Sequence, residues 1–209
     1  MKIKDNYKSY ILLFLAGILA GIICRLSDFF PYESLWSLSS IATMFGFWIA
    51  SVGVITCLSS SNRGAFINSF LYMFGMTLSF YGLKSILGLY IERFSSEPHF
   101  QTNLFLLYSA LSVVCGIGSY ILYHWNNGNV IGSILCALPA SGMLAEAVAC
   151  LLMLLNHQML LAQTLFDFVF AFIFLLVLLK KANYKTIYFT TMGVVMILVF
   201  LVVYKPFLS

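Results

Sequence analysis

The stretch NVIGSILCALPASGMLAEAVACLLMLLNHQMLLAQTLFDFVFAFIFLLVLL, residues 129–179, decides the fold. It holds two apolar windows, 129–155 and 159–179, parted only by the polar residues 156–158. A membrane-spanning helix needs about 20 apolar residues, and both windows supply that length. Each nevertheless carries one carboxylate, Glu146 or Asp167. An Asp, Lys or Arg at the centre of a spanning helix costs at least about 2.5–3.5 kcal/mol on the insertion scale. The two carboxylates are therefore functional candidates from the start.

Outward from this pair, five further apolar windows run over 9–26, 36–58, 66–90, 103–124 and 186–204. Polar breaks separate them: Ser27-Asp28 with Pro31, residues 59–63, residues 92–99 with Pro98, residues 126–129, and residues 180–185. In lipid the backbone must satisfy its own hydrogen bonds, so each window is expected to be helical. The predicted fold class is all-α: a polytopic bundle of seven transmembrane helices, one domain over 1–209, multi-pass in a bacterial cell membrane.

Composition agrees. Of 209 residues, 62% are hydrophobic and 9% charged, with a mean hydropathy of +0.99. Soluble domains average about 25% charged residues, which excludes an ordinary globule, a disordered tail and a secreted disulfide scaffold. The basic start followed by residues 11–20 has the look of a signal peptide. The apolar run continues to Cys24 without a small-residue cleavage pattern, so it is read as a span. Cys24, Cys57, Cys115, Cys136 and Cys150 form no C-x-x-C and are expected to pack, not to bind metal. No cofactor or metal is expected, and the dispersed basic residues offer no nucleic-acid surface.

Orientation follows from Lys and Arg. With the N-terminus inside, Lys2, Lys4, Lys8, Arg63, Lys180, Lys181 and Lys185 lie inside, against Arg25, Arg93 and Lys205 outside. That favours N-in and puts Asp28, Glu33, Glu92 and Glu97 outside. Trp36, Tyr90, Trp125 and Tyr204 stand at span ends and are expected to anchor in the headgroups. Residues 199–203 hold no polar group, so the last helix is expected to face lipid there.

The topology levels the two carboxylates. Glu146 lies nine residues before Leu155, and Asp167 eight after Met159. At 1.5 Å per residue, both come roughly 12–14 Å below the outer boundary. Lys84 and Arg25 also fall in the outer half, and a structural ion pair with a carboxylate is the competing reading. Gly142, Ala145, Glu146 and Ala149 share one helix face of small residues suited to close packing. Gln163 and Asp167 are four apart and share another. Ser37, Ser40 and Thr43 recur every three residues, and Tyr81 lies a turn below Lys84. The expected binding set is thus Glu146, Asp167, Lys84, Gln163, Ser37, Ser40 and Tyr81. Pro139-Ala140-Ser141-Gly142 lies just below Glu146, where the proline either kinks the helix or breaks it to line a ligand site.

Known intramembrane enzymes are excluded by their missing parts. There is no H-E-x-x-H, and His99, His124 and His157 all fall at turns or boundaries. Serine chemistry at Ser141 would need a base, and the Gly-x-Gly-Asp and Tyr-Asp pair of aspartyl intramembrane proteases is absent. A lipid-modifying enzyme using the two carboxylates as acid and base is the third reading.

The first window carries Ala16-x-x-x-Ala20 and Gly17-x-x-x-Gly21, which let backbones approach closely, either within the bundle or against a partner membrane protein. With the outer-half polar site and the chain's size, this alanine motif resembles the substrate-binding S-components of energy-coupling-factor vitamin transporters. The resemblance implies a first helix that contacts a coupling subunit and a ligand site open to the outside. The chain departs from that family in having seven apparent spans where six are usual, and in lacking a vitamin-binding loop signature. Residues 36–50 and 138–147 also resemble uncharacterised multi-pass proteins of Gram-positive bacteria, which implies no activity. The expected function is binding or translocation of a small polar or cationic solute. The alternative is an accessory or immunity subunit of a membrane complex.

Overall fold

The computed structural model describes residues 2–30, 34–91 and 100–207. The expectations placed on Pro31, Glu33, Glu92, Arg93, Glu97, Pro98 and His99 lie outside these. Among the described residues eight α-helices follow in chain order: α1 Tyr7–Ser27, α2 Ser40–Thr43, α3 Phe45–Leu58, α4 Asn62–Tyr90, α5 Thr102–Leu122, α6 Val130–His157, α7 Leu161–Leu179 and α8 Lys185–Val199. Six are long and apolar enough to cross a membrane: α1, α4, α5, α6, α7 and α8, counting α5 and α8 with their helical extensions. The chain is a multi-pass helical membrane protein.

The window 36–58 departs from the expected continuous helix. Ser37 has φ 41°, outside the helical region of an L-residue. Ser40–Thr43 makes a single turn, and Met44 is extended (φ −90°, ψ 162°) before α3 begins. At 14 residues, α3 reaches about 21 Å, short of the roughly 30 Å hydrocarbon core. Met44 is apolar, so hydropathy shows no break. At Pro139 the reverse holds: α6 runs through it without interruption, so the broken helix lies at Met44 and not at the proline.

The chain divides into two compact units: Met1–Ser27 with Val54–Tyr123, and Asp28–Gly53 with His124–Ser209. In the first, α1 lies on α4 through three glycines. A methyl at Gly17 would strike the Tyr72 carbonyl, one at Gly21 the Met76 carbonyl, and one at Gly75 the Phe14 carbonyl. Such absence of Cβ lets backbones meet where no hydrophobic effect drives helices together. Between α3, α4 and α5 the buried Thr56 Oγ1 donates to Ser119 Oγ (3.0 Å), which donates to Ser69 Oγ (2.7 Å). The N-terminal residues strap this unit, with Ile3 N–H donating to the Leu58 carbonyl at 2.7 Å.

In the second unit α6 is the centre, with α7 and α8 packed on it. Asn129 caps its start by accepting from Gly132 N–H at 2.7 Å. Its far end closes at Gln158 in the left-handed conformation, two residues before Leu160 does the same. Two anchoring expectations fail here. Trp36 and Tyr90 are exposed, but Trp125 and Tyr204 are buried. The end of α8 fails to face lipid along its whole surface for the same reason. Leu201 and Val202 are exposed, while Val199, Phe200, Val203 and Tyr204 pack on Ala145 and Ala149 of α6.

Candidate functional site

Glu146, Gln163 and Asp167 meet inside the second unit, all fully buried. Gln163 and Asp167 share a face of α7, and the tight turn after α6 brings that face against Glu146. One amide nitrogen joins them: Gln163 Nε2 donates to Glu146 Oε1 at 3.0 Å and to Asp167 Oδ1 at 2.8 Å. Both hydrogens of the amide are thereby used.

Two further groups complete the shell, and neither was expected from sequence. The break at Met44 turns the start of α3 toward Glu146. Gly46 N–H donates to Glu146 Oε1 at 2.7 Å, and Phe45 N–H lies toward the same carboxylate. These are among the N–H groups that a helix start cannot satisfy itself, and a helix N-terminus favours a negative partner. Past Val199 the chain widens into a π turn, Phe200–Tyr204, and the Tyr204 hydroxyl donates to Glu146 Oε2. Tyr204 resembles a belt aromatic in sequence, and Gly46 contributes only backbone, so neither carries a side-chain signal.

The space is narrow. A methyl on Gly46 would collide with Asp167 Oδ1 and lie 2.8 Å from Glu146 Oε1 and 2.9 Å from Gln163 Nε2. Glycine is required for this close approach. Glu146 accepts at both oxygens, whereas Asp167 Oδ2 and Gln163 Oε1 are buried without a hydrogen-bond partner. Beside them, the Cys150 thiol points to Met44 Sδ at 3.8 Å and lies within hydrogen-bonding reach of the Asp167 carboxylate. Among the described residues no group of three His, Cys, Asp or Glu side chains is placed to hold a metal ion.

The small-residue face of α6 serves two neighbours. Gly142 takes Ile49 of α3, where a methyl would sit 3.0 Å from Cδ1, and Ala145 and Ala149 take the end of α8. Ser37 and Ser40 belong to the same unit but spend their hydroxyl protons locally, on the Ser34 carbonyl (2.5 Å) and the Ser37 carbonyl (2.6 Å). Ser37 Oγ also accepts the Leu160 N–H at 3.4 Å, which ties this segment to the α6–α7 turn.

Tyr81 and Lys84 lie in the first unit. Lys84 Nζ donates to Gln101 Oε1 at 2.6 Å, and Tyr81 is buried among Phe80, Phe105 and Tyr108. Arg25 is buried over the Phe80 ring, 5.5 Å from its centroid. Gly17 and Gly21 are occupied by α4, whereas Ala16 is exposed and Ala20 half-buried. No protein-family model, curated protein or solved structure matches the chain.

Proposed function

We propose that this protein binds or translocates a small polar or cationic solute through the carboxylate site of Glu146 and Asp167, in a seven-span, N-inside arrangement in a bacterial cell membrane. The observation that carries the reading is the pairing of two fully buried carboxylates on one amide, with the acceptors Asp167 Oδ2 and Gln163 Oε1 left unbonded. Buried acceptors without donors are costly, and an ammonium-type group offers up to three donors and a compensating charge. The interrupted segment supports the same reading, because broken helices supply dipole ends and free backbone groups to solute sites in transporters. In that arrangement the 34–44 segment and α3 together make the second span, and the Lys and Arg distribution sets its direction.

The test is thermal unfolding of the detergent-purified chain with ammonium, methylammonium and choline salts, against sodium chloride at equal ionic strength. At least one probe is expected to stabilise the native chain and to lose that effect in Glu146→Gln and Asp167→Asn. Equal stabilisation of both variants removes the site from the reading.

The accessory-subunit reading keeps one supporting observation. Ala16 is exposed on a helix whose glycine face is already taken by α4, which leaves an alanine surface for a partner membrane protein. Ala16→Leu would then abolish co-purification of that partner while leaving the fold intact.

A further inference from the structure

The tightness of the site restricts what it holds. The gap between Gly46 and the three polar side chains is smaller than a methyl group, so no organic solute fits there while α3 keeps its place. The hydrogen bonds are also unevenly shared. Glu146 accepts from Gly46 N–H, Gln163 Nε2 and the Tyr204 hydroxyl. Asp167 accepts from Gln163 Nε2 at Oδ1, with only the weak thiol donor of Cys150 beside it, and among the described residues its fully buried Oδ2 has no hydrogen-bond partner.

The titratable groups facing Asp167 are Glu146 and Cys150 of α6 and Tyr204 at the end of α8. From α3 comes the backbone of Gly46. None of these is a cation. Two anions on one amide in a dry interior repel each other and both lose hydration. A single anion at Glu146 instead faces the partial positive charge at the start of α3.

We propose that the closed site is proton-loaded: Asp167 holds a proton at Oδ2, Glu146 stays ionised, and a cationic solute enters by displacing that proton to water as the start of α3 draws back. This rests on the solute-site reading, and it makes binding and proton release one exchange.

Infrared spectroscopy of the chain in lipid nanodiscs at neutral pH tests it, with aspartate or glutamate carboxyl carbons isotopically labelled in separate samples. The expected result is a C=O stretch from an un-ionised carboxyl that shifts with labelled aspartate and not with labelled glutamate. It should persist in the double variant Asp5→Asn, Asp28→Asn, which leaves the site untouched, and fade as methylammonium is added. Absence of the band, its movement with glutamate label, its loss in the double variant or its survival at saturating methylammonium overturns the proposal. Absence of the band alongside stabilisation by methylammonium sinks the proton assignment alone. A band on Asp167 with no probe stabilising the chain sinks the solute reading instead.

Discussion

Gly46 N–H and Glu146 Oε1 stand one hundred residues apart in the chain and meet at 2.7 Å. This bond joins the start of a short helix to the middle of α6, the most buried of the six membrane-length helices among the described residues, and it holds only because residue 46 has no side chain. Gly46→Ala should therefore destabilise the protein by about 1–3 kcal/mol, the usual range for an overpacked interior. Unfolding midpoints of wild type and variant in the same detergent check this. An unchanged midpoint would mean that α3 gives way at no cost.

Tyr204 provides a second check on the same carboxylate. Hydrogen bonds to charged groups contribute about 1.5–3 kcal/mol, so Tyr204→Phe should lower stability by that order. The control is Tyr90→Phe, which removes an equal hydroxyl from an exposed ring and should change nothing measurable. Equal effects of the two variants would leave Tyr204 a packing residue whose hydroxyl adds nothing to stability.

The glycine face of α1 predicts a contrast within one turn. Gly17→Leu and Gly21→Leu place side chains into α4 carbonyls and should leave α1 readily cleaved by protease. Ala16→Leu should keep the protection of wild type. Equal cleavage in all three would show that the helix is held elsewhere.

Thr56, Ser119 and Ser69 form a hydroxyl chain across buried helix surfaces. A double-mutant cycle on Thr56→Val and Ser119→Ala should give a coupling near the ~0.6 kcal/mol average for bonds between membrane helices, and below their ~1.7 kcal/mol maximum. A zero coupling would assign the two residues to packing alone.

Much of this was legible in the chain because lipid forces apolar windows to be helices. The levelling of Glu146 with Asp167 followed from helix rise, and Gln163 from its four-residue spacing to Asp167. Other parts carried no such signal. The break falls at Met44, an apolar residue that hydropathy does not distinguish from its neighbours. Gly46 acts through a backbone N–H, which every residue but proline has. Tyr204 and Trp125 are amphipathic at span ends, and only packing decides whether such rings reach headgroups or the interior. Of the two alternatives open at Pro139, a kink or a break, the break is not seen, because α6 runs through the residue without interruption.

The discontinuity at Met44 also sets an order for biogenesis. A ribosome adds roughly 5–20 residues per second, so the start of α3 is synthesised roughly 5–20 seconds before Glu146. During that interval its leading N–H groups have no carboxylate to meet, and 14 residues are too few to hold a span alone. Until α6 is made, the start of α3 therefore lacks the partner that satisfies its Gly46 N–H group in the folded chain.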